Sequence, residues 1–222
     1  MFEFDWEGAE RAFRSAIQLA PDNAMTHAEY GLYLSSLERY DEALTEQRQA
    51  HDLDPLHPIF MSDIASTLLR AGRYDEALAQ ARALITLEPK FPMAHSTLGW
   101  AYVRKRQFDE GLHELNEAVS ISPGNSLFLA QLGQAYAESG RVDQAGEVLE
   151  YLMELGRERY VSPYHLAYVY TGLGDHEKAI DCLEQAVEER AGSVYGIRGS
   201  FLFRDLRGHP RFIAVLRRMN LA

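Results

Sequence analysis

The side chains in this 222-residue sequence that could carry chemistry are eight histidines, one cysteine and a recurring Asp-Glu pair. A metal centre needs several of His, Cys, Asp or Glu converging on one point. His51 and His57 lie close to Asp52 and Asp54 and could chelate a divalent ion, but they read better as solvated turn residues. His27 and His95 fall at equivalent places in separate stretches of chain, not side by side. Cys182 stands alone, so neither an internal disulfide nor a cysteine-built zinc site can form. No metal and no cofactor is expected.

Catalytic patterns fare no better. Gly172-Leu173-Gly174 sits at a turn, and the stretch from Gly196 to Gly199 is too short for a phosphate-cradling loop. Asp41-Glu42, Asp75-Glu76 and Asp109-Glu110 recur so regularly that they read as helix starts rather than as acids and bases. No nucleophile motif is present. A non-catalytic protein is expected.

The elements that would position these residues announce themselves by a period of 34. Pro21, Pro55, Pro89 and Pro123 share it, as do Trp6, Tyr40, Tyr74 and Phe108. Ala9, Ala43, Ala77, Gly111, Ala145 and Ala179 form a series never larger than a methyl, and Gly31, Ala65, Gly99, Gly133 and Ala167 form a second. Two small series, one per helix, let paired helices approach closely. Within a unit, Ile64, Leu68, Leu69, Leu78, Ala81, Leu84 and Leu87 recur at helical steps around a break at Ala71-Gly72-Arg73. Asp41, Asp75, Asp109 and Asp143 open each second helix, where a carboxylate complements the helix dipole; Glu177 replaces them in the last unit. Pro58 and Pro92 open first helices, where a missing amide costs little.

Thirty-four residues per unit, with small, aromatic and proline positions fixed within it, resemble the tetratricopeptide repeat. The resemblance implies an all-α fold: an α-solenoid, a right-handed superhelix of helical hairpins. Five units are expected at 24–57, 58–91, 92–125, 126–159 and 160–193, preceded at 1–23 by an orphan second helix and followed at 194–222 by a basic C-terminal cap. Arg157 and Ala191 stand where proline is usual, and Gln47 stands at a usual core position. Phe4-Asp5-Trp6-Glu7-Gly8-Ala9-Glu10, Tyr160-Val161-Ser162-Pro163-Tyr164, Gly172-Leu173-Gly174-Asp175 and Asp205 to Phe212 look like one bacterial subfamily. Its arrays follow winged-helix DNA-binding, nucleotide-cyclase or protein-kinase domains, none of which is in this sequence.

In such arrays the first helix of each unit lines a concave groove. Carried over by position, the groove holds Met25, Glu29, Leu32, Asp63, Ser66, Arg70, Met93, Thr97, Trp100, Arg104, Gln131, Gln134, Glu138, Tyr164, His165 and Tyr168. Trp100 and Tyr168 are the expected anchors for a protein or peptide ligand, since large aromatics bury much area at little entropic cost. Some family members clamp a chaperone's terminal carboxylate with Lys and Asn. The matching places here, among them Ala28, Asp63, Met93 and Thr97, carry no cation, so that mode is not expected.

Composition sets the remaining expectations. Hydrophobic residues make up 46% of the chain, as in a folded protein, and no run suits a membrane helix. Met1 to Gly8 is acidic, unlike a signal peptide, so a cytoplasmic protein is expected. Net charge is −11, which disfavours nucleic acid as a partner. The tail inverts that balance: six arginines, Arg198, Arg204, Arg207, Arg211, Arg217 and Arg218, face Asp205 alone. A helix opened by Pro210, with Phe212, Leu216 and Met219 on one face, is expected to cap the stack. At the other end a lone second helix would expose Phe4, Phe13 and Ile17, inviting a homodimer or another domain. The sequence is therefore read as a shortened array that scaffolds protein contacts; the alternative is a regulatory, sensory or oligomerisation domain of a larger bacterial regulator, cyclase or kinase.

Overall fold

The computed structural model describes residues 4–222, so residues 1–3 of the expected first segment lie outside the described residues. All regular structure among the described residues is helical. The helices are α1 (Trp6–Leu19), α2 (Ala24–Ser36), α3 (Tyr40–Leu53), α4 (Pro58–Arg70), α5 (Tyr74–Leu87), α6 (Pro92–Arg104) and α7 (Phe108–Ile121). They continue with α8 (Ser126–Glu138), α9 (Val142–Glu158), α10 (Pro163–Gly172) and α11 (His176–Glu188). Two 3-10 turns, Gly192–Gly196 and Phe201–Leu206, then lead into α12 (Pro210–Arg218).

The helix starts follow from local chemistry. Asp5, Asn23 and Asn125 accept a backbone N–H of the first turn through their side chains, and α4, α6, α10 and α12 begin on proline. Within each hairpin the turn passes through a left-handed residue that itself recurs every 34 positions: Glu38, Gly72, Arg106, Gly140 and Gly174. Glycine fills three of the five because a side chain there is strained.

The hairpins α2–α3, α4–α5, α6–α7, α8–α9 and α10–α11 stack so that α2, α4, α6, α8 and α10 touch in succession. Close approach at the small positions makes this possible. A Cβ added to Gly99 would lie 2.8 Å from the Gly111 carbonyl oxygen, and one added to Gly111 would lie 2.9 Å from that of Gly99. The aspartates that open the outer helices form a ladder along one edge: Asp41 with Arg73, Asp75 with Lys105, Asp109 with Arg141. His27 and His95 are clips between the two helices of their hairpins. Each contacts a glutamate through Nδ1, Glu46 at 2.6 Å and Glu114 at 2.8 Å, and a proline carbonyl through Nε2, Pro21 or Pro89. Gln47 is fully buried and both its amide atoms lack a hydrogen-bond partner.

Three features depart from the expected plan. Arg157 does not stop α9 as the prolines stop its counterparts, so α9 has 17 residues where α3, α5 and α7 have 14, and α10 starts at Pro163. The segment after α11 is more than a cap. Its α12 does lie on α11, with Arg211 joined to Glu177, Asp181 and Glu184, but residues 192–206 run across the faces of α2 and α10. Finally, α1 is only partly open: Phe13 sits 5.4 Å from the Tyr30 ring and 5.5 Å from Tyr33, and Phe4 meets Tyr195 of the tail at 5.9 Å.

Candidate functional site

The inner helices α2, α4, α6, α8 and α10 form one wall of a chamber of about 760 Å³, within the range of ligand-holding cavities. From this wall come Leu32, Asp63, Ser66, Arg70, Met93, Gln131, Tyr164 and Tyr168, all expected from the sequence, together with Tyr33, Ser36, Ser62 and Leu127. The opposite wall comes from both ends of the chain: Phe4, Asp5, Trp6, Ala9 and Phe13 on one side, Gly192, Ser193, Tyr195 and Gly196 on the other. Trp6 and Tyr195 meet edge to face at 6.3 Å and close the gap between the two ends.

Beside the chamber, the tail fills the rest of the expected groove. Phe201 lies edge-on to Trp100 at 5.3 Å, and the Arg104 guanidinium stands over the Phe201 ring at 5.9 Å. Gln134 donates from Nε2 to the Leu202 carbonyl at 2.7 Å. Arg104 and Glu138 form an ion pair at 3.1 Å, where burial pushes the Glu138 carboxyl above its ordinary range. The expected role of Trp100 is corrected accordingly. It is 1% exposed, and its open face is taken by the chain's own Phe201. Tyr164 and Tyr168 are also buried, packed on Phe203 at 5.2 and 5.1 Å, but both still contribute to the chamber lining.

The remaining expected residues are dispersed. Met25 and Glu29 are exposed at the start of α2 and Thr97 is buried in α6; none of the three lines the chamber. His165 is held between hydroxyls, its Nδ1 2.9 Å from Ser126 Oγ and its Nε2 3.5 Å from Ser193 Oγ. Burial drops its pKa to about 4, so the ring is neutral at pH 7. The tail residues were missed because they lie outside the repeating unit, and the α1 residues because α1 is a second helix and only first helices were expected to line the groove. The signal for them is the apolar Phe201-Leu202-Phe203 triplet inside an otherwise basic segment.

Two charges shape the chamber. Asp63 Oδ2 is sealed from solvent without a hydrogen-bond partner, and burial, only partly offset by Arg70, lifts its carboxyl to about 7. Tyr164 is pushed up to about 12 by burial and Tyr168 is raised well above its ordinary value, so both are neutral donors near pH 7. Among the described residues no group of three or more His, Cys, Asp or Glu is placed to hold a metal ion, and no helix is long and apolar enough to cross a membrane.

Comparison with solved structures places this architecture among known helical repeats. A thermophilic repeat protein of Thermus thermophilus, TTC0263, superposes with a TM-score of 0.63 at 25% identity, over 87% of this chain and 99% of that one. MamA of Desulfovibrio magneticus RS-1, from its residue 41 onward, gives 0.56 at 24% identity, over 70% and 88%. A chain of the APC/C hetero-tetramer Cut9–Hcn1 gives 0.63 at 14% identity, over 99% of this chain and 44% of that one. No curated protein sequence matches. One family model, described as tetratricopeptide repeat, matches residues 5–58 and 62–126, and two more of the same description match 102–163 and 164–192. With its 34-residue hairpins thus matched along nearly their whole length, the chain belongs to the tetratricopeptide repeat family.

Proposed function

We propose that this protein is an interaction scaffold that holds a peptide segment of a partner in the chamber between its inner helices and its own two ends. The observation that carries this reading is the chamber itself. It combines apolar side chains from α2, α6 and α8 with aromatic rings from α1, α2, α10 and the tail, and adds polar and charged groups from α4, features of sites that anchor a ligand and fix its orientation. Trp100 is not part of this reading, because Phe201 already fills its place.

The test selects peptides on the intact protein from a displayed random library and measures their binding by fluorescence polarisation. Leu32→Arg and Met93→Glu alter chamber-lining residues that are not in the buried core. Each is expected to weaken the selected peptides about tenfold or more, as anchor loss does, with little change in melting temperature. Selected peptides that bind both variants as tightly as the parent would place the interaction elsewhere on the array.

A further inference from the structure

The α4 side of the chamber presents Asp63, Ser66 and Arg70, spaced three and seven residues apart and therefore on one helix face. At 1.5 Å of rise per residue, the Cα atoms of Asp63 and Arg70 stand roughly 10 Å apart along the axis. Among the described residues neither is joined to an opposite charge by an ion pair, although lone charges in a partly desolvated site are costly. Ser62 and Ser66 add hydroxyls to the same side, while Trp6, Tyr33, Tyr195, Tyr164 and Tyr168 supply aromatic surface to the chamber.

An extended peptide advances at most roughly 3.3–3.6 Å per residue, so three residues set a free amino and a free carboxyl end about 10 Å apart. An internal segment of a longer chain has no charged ends and would add nothing to the weak through-space attraction between Asp63 and Arg70. We propose that the chamber takes a short zwitterionic peptide of about three residues with apolar or aromatic side chains, its ammonium against Asp63 and its carboxylate against Arg70. This rests on the peptide-holding chamber proposed above and replaces the partner's segment with a free peptide that has two charged ends.

The experiment is calorimetric titration of the intact protein with a panel of tripeptides built from Phe, Leu, Tyr and Ala. Each is supplied unblocked, N-acetylated and C-amidated, with phenethylamine as a one-ended probe. The expected result is that unblocked peptides bind and that blocking either end weakens binding about tenfold or more. Asp63→Asn should abolish the penalty for acetylation while keeping the one for amidation, and Arg70→Gln should do the reverse. Circular dichroism confirms that both variants fold. Equal binding of blocked and unblocked peptides overturns the proposal, as does phenethylamine binding as tightly as the best tripeptide. If no tripeptide binds at millimolar concentration while longer library-selected peptides bind in the chamber, the two-ended ligand is wrong and the scaffold reading stands. If neither class binds there, both fall.

Discussion

The indole N–H of Trp6 donates to the backbone carbonyl of Met219 at 2.6 Å, joining the first described helix to the residue that ends the last across 213 positions of sequence. Asn220 reinforces the junction by donating from Nδ2 to the Phe4 carbonyl at 3.2 Å. The stack is thereby bridged into a closed figure, and the chamber owes its second wall to that closure. Trp6→Phe keeps most of the ring packing and removes the donor, so it should cost about 1 kcal/mol, roughly 2–4 °C in Tm at this size. Hydrogen exchange should accelerate together around residues 4–9 and 217–221. Loss of protection at the first segment alone would mean the two ends are not coupled.

The tail's grip on the inner helices can be measured at two neighbouring phenylalanines. Phe203 is fully buried between Tyr164, Tyr168 and Phe212, so Phe203→Ala should destabilise the protein by about 3–5 kcal/mol in denaturant unfolding. Phe201 covers Trp100, so Phe201→Ala should expose the indole and shift its emission to the red at a smaller cost in stability. Unchanged emission would mean that Trp100 is sealed by something other than the tail.

Much of this architecture is legible in the sequence because each hairpin repeats the same solution to the same packing problem. Gly99 and Gly111 stand out as members of the small series, and in space each abuts the other's backbone. Asp63, Arg70 and Tyr164 fall into the chamber because their places in the unit dictate which way a first helix faces. The path of residues 192–206 is not legible, since a segment that occurs once offers no period to compare. Trp100, expected to anchor a ligand, packs instead against the tail: an aromatic that suits a ligand also suits the chain's own Phe201. Gln47 shows the limit from the other side: its polar side chain at a usual core position is legible in the sequence, but the absence of any partner for its amide is not.

The arginines of the tail look alike in sequence but contribute unequally to the fold. Arg211 reaches Glu177 and Asp181 at 2.7 Å and Glu184 at 2.8 Å, fastening α12 to α11. Arg211→Glu would set four carboxylates against one another and should lower Tm by several degrees, more so at low salt, where repulsion is less screened. Arg217 is exposed and takes part in no ion pair of the described residues, so Arg217→Glu should leave Tm nearly unchanged. Equal losses from both reversals would show that overall tail charge, not the Arg211 cluster, holds α12 in place.

Stability against pH should carry the mark of two partly buried groups, Asp63 and His165. Asp63 titrates near 7 in the folded protein against an ordinary 3.8, so the folded state holds that proton the more tightly. Its contribution is full below pH 3.8 and is lost as pH rises through about 7. His165 runs the other way. Its pKa falls from 6.5 to about 4, so its contribution is full above pH 6.5 and is lost as pH falls through about 4. Asp63→Asn removes the alkaline loss and should be more stable than the parent at pH 8 by on the order of 2 kcal/mol, about 4–8 °C, with the difference shrinking toward zero near pH 3.5. His165→Gln should flatten the decline between pH 6.5 and 4 while leaving the alkaline side unchanged. Melting curves from about pH 3.5 to 8.5 measure both, and an Asp63→Asn profile parallel to the parent's throughout would mean that this carboxylate is solvated, not sealed against the chamber wall.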